Sequence, residues 1–260
     1  MSMFNKIAVS AAIAVSFAAH ADLLIDDFTQ GQTLVGDNVV DATGFSGTSA
    51  SSPTTILGGT RDLFVIETDT PPLDNPSTGT SMDVFSGVLG FDNDSGQAGV
   101  GIVRWDGSTN TSFGATGATA AATLANAIAS IDGAGLGSVN FNSSAIGFQI
   151  DVLSADANFF FTLQAYSGAG NFSQFSALTF AGPGSYVIPF AAFVVAGGTG
   201  ANFNNIGALQ AIINYPGTAV QDVDLRVSTA RAVPAPATLA LVGLALVGAG
   251  AVGRRARRAA

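Results

Sequence analysis

Residues 145–153 read AIGFQIDVL, and this stretch decides the fold. Ile146, Phe148, Ile150 and Val152 alternate with Gly147, Gln149 and Asp151, a period of two that places the apolar set on one face of a β-strand. Moving outward, Phe159, Phe161, Leu163 and Ala165 repeat the pattern, and Val223, Leu225 and Val227 do so against Asp222, Asp224 and Arg226. Further strands are predicted over 23–28, 62–67, 83–91, 100–105, 186–190 and 209–214, punctuated by Gly, Asn, Asp, Ser and Pro. Long loops are predicted over 44–60 and 68–81. One segment breaks the rule: in ATAAATLANAIASID, Leu124, Ile128 and Ile131 recur at helical spacing, which predicts a helix ending at Asp132-Gly133. Many short strands with a single short helix make the expected class all-β, a jelly roll or β-sandwich.

The two ends of the 260-residue chain read differently from this body. Residues 1–21 hold one charge, Lys6, then an apolar run from Ile7 to Ala19, then Ala19-His20-Ala21. A short apolar run before a small-x-small site is the pattern of a secretory signal peptide, so signal peptidase is expected to cut between Ala21 and Asp22. At the other end, residues 237–253 contain no charge and one polar residue, Thr238, which is the lower limit for a helix crossing the bilayer. The basic end, 254–260, supplies Arg254, Arg255, Arg257 and Arg258, and clustered arginine marks the cytoplasmic side. Residues 22–231 are then an extracytoplasmic domain, and residues 232–260 anchor it in the inner membrane.

Val233-Pro234-Ala235-Pro236-Ala237-Thr238-Leu239, followed by the Gly-rich apolar run and the arginine cluster, resembles the PEP-CTERM sorting signal of Gram-negative bacteria. The resemblance implies a partner, an exosortase-type membrane enzyme that processes the tail, and a carrier exported by bacteria that make exopolysaccharide. Ala235 stands where that family has glutamate. Gly248, Gly250 and Gly253 also satisfy G-x-G-x-x-G, but no strand-turn-helix unit surrounds them, and small residues in an apolar span serve close helix packing.

The body's composition excludes much chemistry. Its eighteen acidic residues face only Arg61, Arg104, Arg226 and Arg231, a net charge of −14, which makes nucleic acid an unsuitable partner. The one His and the one Lys lie before residue 22, and Cys is absent. Ser-His-Asp and Cys-His catalysis, Schiff-base lysines and His or Cys zinc sites are thereby excluded, as are disulfides. A hydrolase would have to use carboxylates. Asp222 and Asp224 are expected on one strand face about 6.6–7 Å apart, whereas glycosidic cleavage needs carboxyls on opposite sides of the bond.

The order AIGFQIDVL, NFFFTLQAY, GSYVIPFAAF, FNNIGALQAIIN, VQDVDLRVS is similar to the closing strands of galactose-binding-like jelly rolls, the fold of many carbohydrate-binding modules. In that fold the first and last strands often lie together near a structural calcium. By position and type the resemblance implies Asp26, Asp27, Asp222 and Asp224 as its ligands, with solvated strand ends as the competing reading. DNDSG at 92–96 begins like a calcium loop but has Gln97 where glycine is needed and Val103 where glutamate is needed. Trp105, Phe160 and Tyr166 are the candidate glycan platform, since an aromatic face with polar neighbours suits a sugar ring. The competing reading is that Trp105 is core and that 159–161 is a strand buried on both faces. The expected function is an exported, non-enzymatic envelope or extracellular-matrix protein. The alternatives are a lectin-like module for polysaccharide and, more remotely, a carboxylate-dependent glycan hydrolase.

Overall fold

The computed structural model describes residues 22–39, 41–47, 49–68, 79–109, 113, 117–156, 159–217 and 219–234. The signal segment 1–21, the spanning segment 237–253 and the basic end 254–260 lie outside the described residues. Among the described residues no helix is long and apolar enough to cross a membrane.

Fifteen strands and one helix are described, in chain order β1 (Leu23–Asp26), β2 (Gln32–Asp37), β3 (Phe45–Ser46), β4 (Ala50–Ser51), β5 (Thr60–Glu67), β6 (Thr80–Phe85), β7 (Val88–Asn93), β8 (Gly99–Trp105), α1 (Ala120–Ala129), β9 (Gly147–Ala155), β10 (Phe161–Tyr166), β11 (Phe172–Leu178), β12 (Gly184–Pro189), β13 (Val194–Gly197), β14 (Ala208–Ile213) and β15 (Asp224–Val233). They form two antiparallel sheets. One runs β12-β9-β15-β7-β6-β2, with β1 also on β15; the other runs β13-β11-β10-β14-β8-β5-β3, with β4 also on β5. The architecture is the all-β sandwich of jelly-roll type that the alternating pattern predicts.

The core lies between the sheets. Phe148, Ile150 and Val152 of β9 and Leu225 and Val227 of β15 face Leu63 and Val65 of β5, Leu163 of β10 and Leu209, Ala211 and Ile213 of β14 in one buried cluster. Phe148 also anchors an aromatic group at one end. Its ring lies 5.2, 5.0 and 5.8 Å from those of Phe141, Phe190 and Phe193, at steep interplanar angles that suit the quadrupoles of the rings. A second cluster sits outside the β5-β8-β14 sheet, where Phe64, Ile102 and Ile212 meet Phe113 and the apolar stripe Leu124 and Ala127 of α1. The helix starts where Thr119 accepts the Ala122 N–H at 3.2 Å, a serine/threonine-type N-cap. It ends at Ala129, three residues short of the predicted Asp132, because Ser130 leaves helical geometry at the C-cap.

Further expectations are corrected: the segment 44–60, predicted as a loop, holds β3, β4 and the first residue of β5. Residues 83–91 form a hairpin, β6 into β7, in place of one strand: Ser86 and Gly87 have φ of 52° and 80°, the left-handed pair that a two-residue turn between twisted strands requires. Ile146 is 44% exposed because the strand begins one residue later, its N–H being spent on Val233 C=O at 2.9 Å.

Candidate functional site

β15 is the strand from which the tail leaves, and both of its edges are occupied. Along one edge it pairs with β9 from Leu225 to Val233. Along the other it pairs first with β7, Asp224 to Val227, and then with β1, Ala230 to Ala232. The first and last strands therefore do lie together. Ala232 is fully buried, opposite Leu23 on one side and Phe148 on the other. Val233 lies opposite Gly147, where a Cβ would come within 2.6 Å of the Ile188 carbonyl oxygen, so only glycine fits this close approach of β9 to β12. On the outer face, Arg231 pairs with Asp151 at 3.0 Å and with Asp22 at 3.4 Å. Pro234, which has no N–H to continue the ladder, follows directly.

The acidic residues implied as calcium ligands are not assembled. Asp26 is fully buried and its two oxygens accept from Arg61 Nη1 at 2.9 Å each. Oδ1 also accepts the Phe28 N–H at 2.8 Å, and Oδ2 accepts the Trp105 indole N–H at 2.9 Å. Burial raises the Asp26 carboxyl above its ordinary pKa, against which Arg61, Trp105 and Phe28 all pull downward. The guanidinium is itself held by Gln32 Oε1 at 2.9 Å and the Gln30 carbonyl at 2.6 Å. This carboxylate is fully committed to a core ion pair. Asp27 is spent locally, accepting from Thr29 N and Oγ1 at 3.0 and 2.6 Å.

Asp222 and Asp224 lie at the other end of β15. The β1 pairing stops at Ala230, six residues from Asp224, which is about 20 Å of extended chain. Asp222 lies before the strand with φ of 56° and accepts the Gly96 N–H at 2.7 Å, so the two carboxylates do not share a strand face as expected. Asp224 stands opposite Asp92 in register, and its own N–H donates to Asp156 Oδ2 at 2.8 Å. Partial burial, the hydrogen bond to Asp92 and the charges of Asp92 and Asp156 push its pKa up to about 6, with Arg226 pulling the other way. Among the described residues no three acidic or histidine side chains converge as a metal site.

The aromatic candidates are corrected in the same way. Trp105 is 3% exposed and Tyr166 5% exposed, so neither presents a ring face to solvent; only Phe160, at 41%, does. Trp105 turns inward with the core residues of β8 to reach Asp26. Tyr166 lies on the opposite face of its sheet, stacked on Phe172 at 4.8 Å and donating its hydroxyl to Gln164 Oε1 at 2.7 Å. Burial raises the Tyr166 pKa above its ordinary value, with Arg104 pulling it down.

That outer face carries a polar ladder that the composition alone did not single out. Asp62, Arg104, Gln210, Gln164 and Gln174 stand side by side on five consecutive strands. Arg104 donates to Gln210 Oε1 at 3.0 and 2.8 Å, Gln210 to Gln164 at 2.9 Å and Gln164 to Gln174 at 3.2 Å. Arg104 also donates to Ala127 C=O at 2.6 Å and lies 4.1 Å over the Phe113 ring, which places a cation against the carbonyl end of α1. Burial lowers its pKa to about 10, against the charges of Asp106 and Asp62. The available signal was the period-two polar run Thr162, Gln164, Tyr166 on a strand whose other face is equally buried. Between the sheets the remaining void is about 30 Å³ and wholly apolar, an order of magnitude below the roughly 300 Å³ of a small-ligand pocket.

No curated protein matches the chain. Among solved structures it is similar to the family 11 carbohydrate-binding module of a cellulosomal cellulase of Clostridium thermocellum, with 12% identity and a TM-score of 0.38 over 84% of this chain and 97% of the module. The same module in complex with a β-1,3-1,4-mixed-linked tetrasaccharide gives 12% and 0.38 over 84% and 98%. A solution structure of such a module gives 14% and 0.37 over 85% and 99%. At this distance the likeness says nothing about a ligand. Residues 232–258 match the PEP-CTERM protein-sorting motif. The chain thus carries a PEP-CTERM sorting motif whose first two residues, Ala232 and Val233, are strand residues of the sandwich.

Proposed function

We propose that the chain is an exported envelope or extracellular-matrix protein, a non-catalytic sandwich anchored by its tail in the inner membrane and then processed by an exosortase-type enzyme. The sorting motif at 232–258 carries this reading. The body supports it by what its reactive groups are doing. It has no His, Lys or Cys, Asp26 and Arg61 neutralise each other in the core, and Arg104 is absorbed by the glutamine ladder. Asp222, before the strand, accepts the Gly96 N–H, and Asp224 stands opposite Asp92, so the two carboxyls are engaged with separate partners and do not form the facing pair that glycosidic cleavage uses. Of the three aromatic residues read as a glycan platform, only Phe160 is exposed. Cell fractionation in an exosortase-bearing host tests the reading. The full chain should place its body outside the inner membrane, deletion of 254–258 should disturb that placement, and purified body should turn over no glycan, ester or peptide substrate. Cytosolic retention of the full chain would overturn it.

A further inference from the structure

We propose that the sandwich itself restrains tail processing: the end of β15 must leave β1 and β9 before the sorting enzyme can take hold of the motif. This rests on the reading that the tail is processed. The motif begins at residue 232, while β15 continues to Val233. Its first two residues are therefore in the sheet. Ala232 is fully buried, and the neighbouring strand positions on both sides are taken, Leu23 on β1 and Phe148 on β9. An enzyme that binds an extended peptide does so along its edges or in a groove, and here both edges are already paired.

Distance makes the restraint hard to avoid. Between Val233 and the apolar run that begins at Ala237 there are four residue steps, at most about 14 Å of extended chain. A membrane-embedded enzyme must therefore work directly against the folded body, unless the strand end peels away. β1 is the weaker partner. It is four residues long, with three register pairs to β15, and it begins next to Asp22, where a chain end is expected after signal cleavage. Strand ends of this kind open at low cost relative to the core. Arg231, paired with Asp22 and Asp151, is the outermost pin.

Pulse-chase processing of the full chain in an exosortase-bearing host tests this, with intact mass as the readout. The double variant Leu23→Cys, Ala232→Cys places a disulfide across a register pair in a chain that has no other cysteine. Because the cross-link forbids separation of β15 from β1, processing of the oxidised chain should be lost, and a reductant should restore the rate. A six-residue Gly-Ser spacer followed by a second Ala-Val, inserted after Val233, leaves β15 its own end and places an intact motif outside the sheet, so it should speed processing and make it insensitive to the clamp. Arg231→Ala, which removes the pairs with Asp22 and Asp151, should speed processing about two- to fivefold, the effect of losing partly exposed ion pairs. Equal rates for the clamped, unclamped and spacer chains would overturn the proposal, as would an unchanged rate in Arg231→Ala if the cysteine variant does not fold. Absence of processing even in the spacer chain would instead overturn the sorting reading, and this proposal with it.

Discussion

Trp105 donates its indole N–H to Asp26 Oδ2 at 2.9 Å, joining residues 79 positions apart across the sandwich interior. The sequence leaves Trp105 open between sugar platform and core, and Asp26 between calcium ligand and solvated strand end; the structure makes each the other's partner. Together with Arg61 they form a buried polar centre between β1, β5 and β8, which ties the first strand to the opposite sheet.

That centre should behave as structure. Arg61→Met leaves Asp26 buried without its countercharge and should cost about 3–5 kcal/mol in urea unfolding. Adding Asp26→Asn to that variant should recover most of the loss. Trp105→Phe removes one hydrogen bond and should cost about 1–2 kcal/mol. A calcium-dependent rise in melting temperature that Asp26→Ala abolishes would contradict this assignment.

Asp224 gives the fold a pH dependence. Its carboxyl is raised from 3.8 to about 6 in the folded chain, so between those values the folded state holds a proton that the unfolded state has lost. The associated stability is present below pH 3.8 and is lost as pH rises through 6. Because the group is largely exposed, screening holds the effect to about 1 kcal/mol or less. Asp224→Asn should therefore be more stable than the parent at pH 7 and about equal to it below pH 4. Paired thermal melts at the two pH values check the sign.

The strand that opens the sequence argument supplies an internal contrast. Phe148→Ala empties the aromatic group and should cost about 3–5 kcal/mol. Ile146→Ser, two residues earlier but exposed, should stay within about 0.5 kcal/mol of the parent. Chemical denaturation of both variants checks this.

The same contrast shows how much the sequence made legible. Alternation at Phe148, Ile150 and Val152 is a local property, and so is the helical spacing of Leu124 and Ile128; these survive in the structure because short-range geometry sets them. Ile146 fits the alternation but falls outside the strand, since the boundary is fixed by Val233, which lies 87 residues away. The fates of Trp105, Tyr166 and Asp26 also depended on distant partners, Asp26 on Arg61 and Tyr166 on the ladder beneath α1. An aromatic residue with a polar handle reads alike as platform or as core until the group that receives its hydrogen bond is known. The tail was legible because its signal is carried by order along the chain, while its overlap with β15 needed the register of three strands.

Ala235 supplies a prediction for the tail. If the enzyme reads a carboxylate at this position, Ala235→Glu gains a charge-assisted contact, and processing should accelerate on the order of tenfold. Equal release from parent and variant, followed by intact mass over time, would remove that argument while leaving the anchor untouched.

The central claim, that this sandwich is exported and delivered through its tail, is tested most directly by the intact mass of the protein recovered from outside the inner membrane of an exosortase-bearing host. The account predicts a body that begins at Asp22 and has lost the apolar run and the arginine cluster. A chain that retains Met1 and Ala260, with its body protected from external protease, would contradict it.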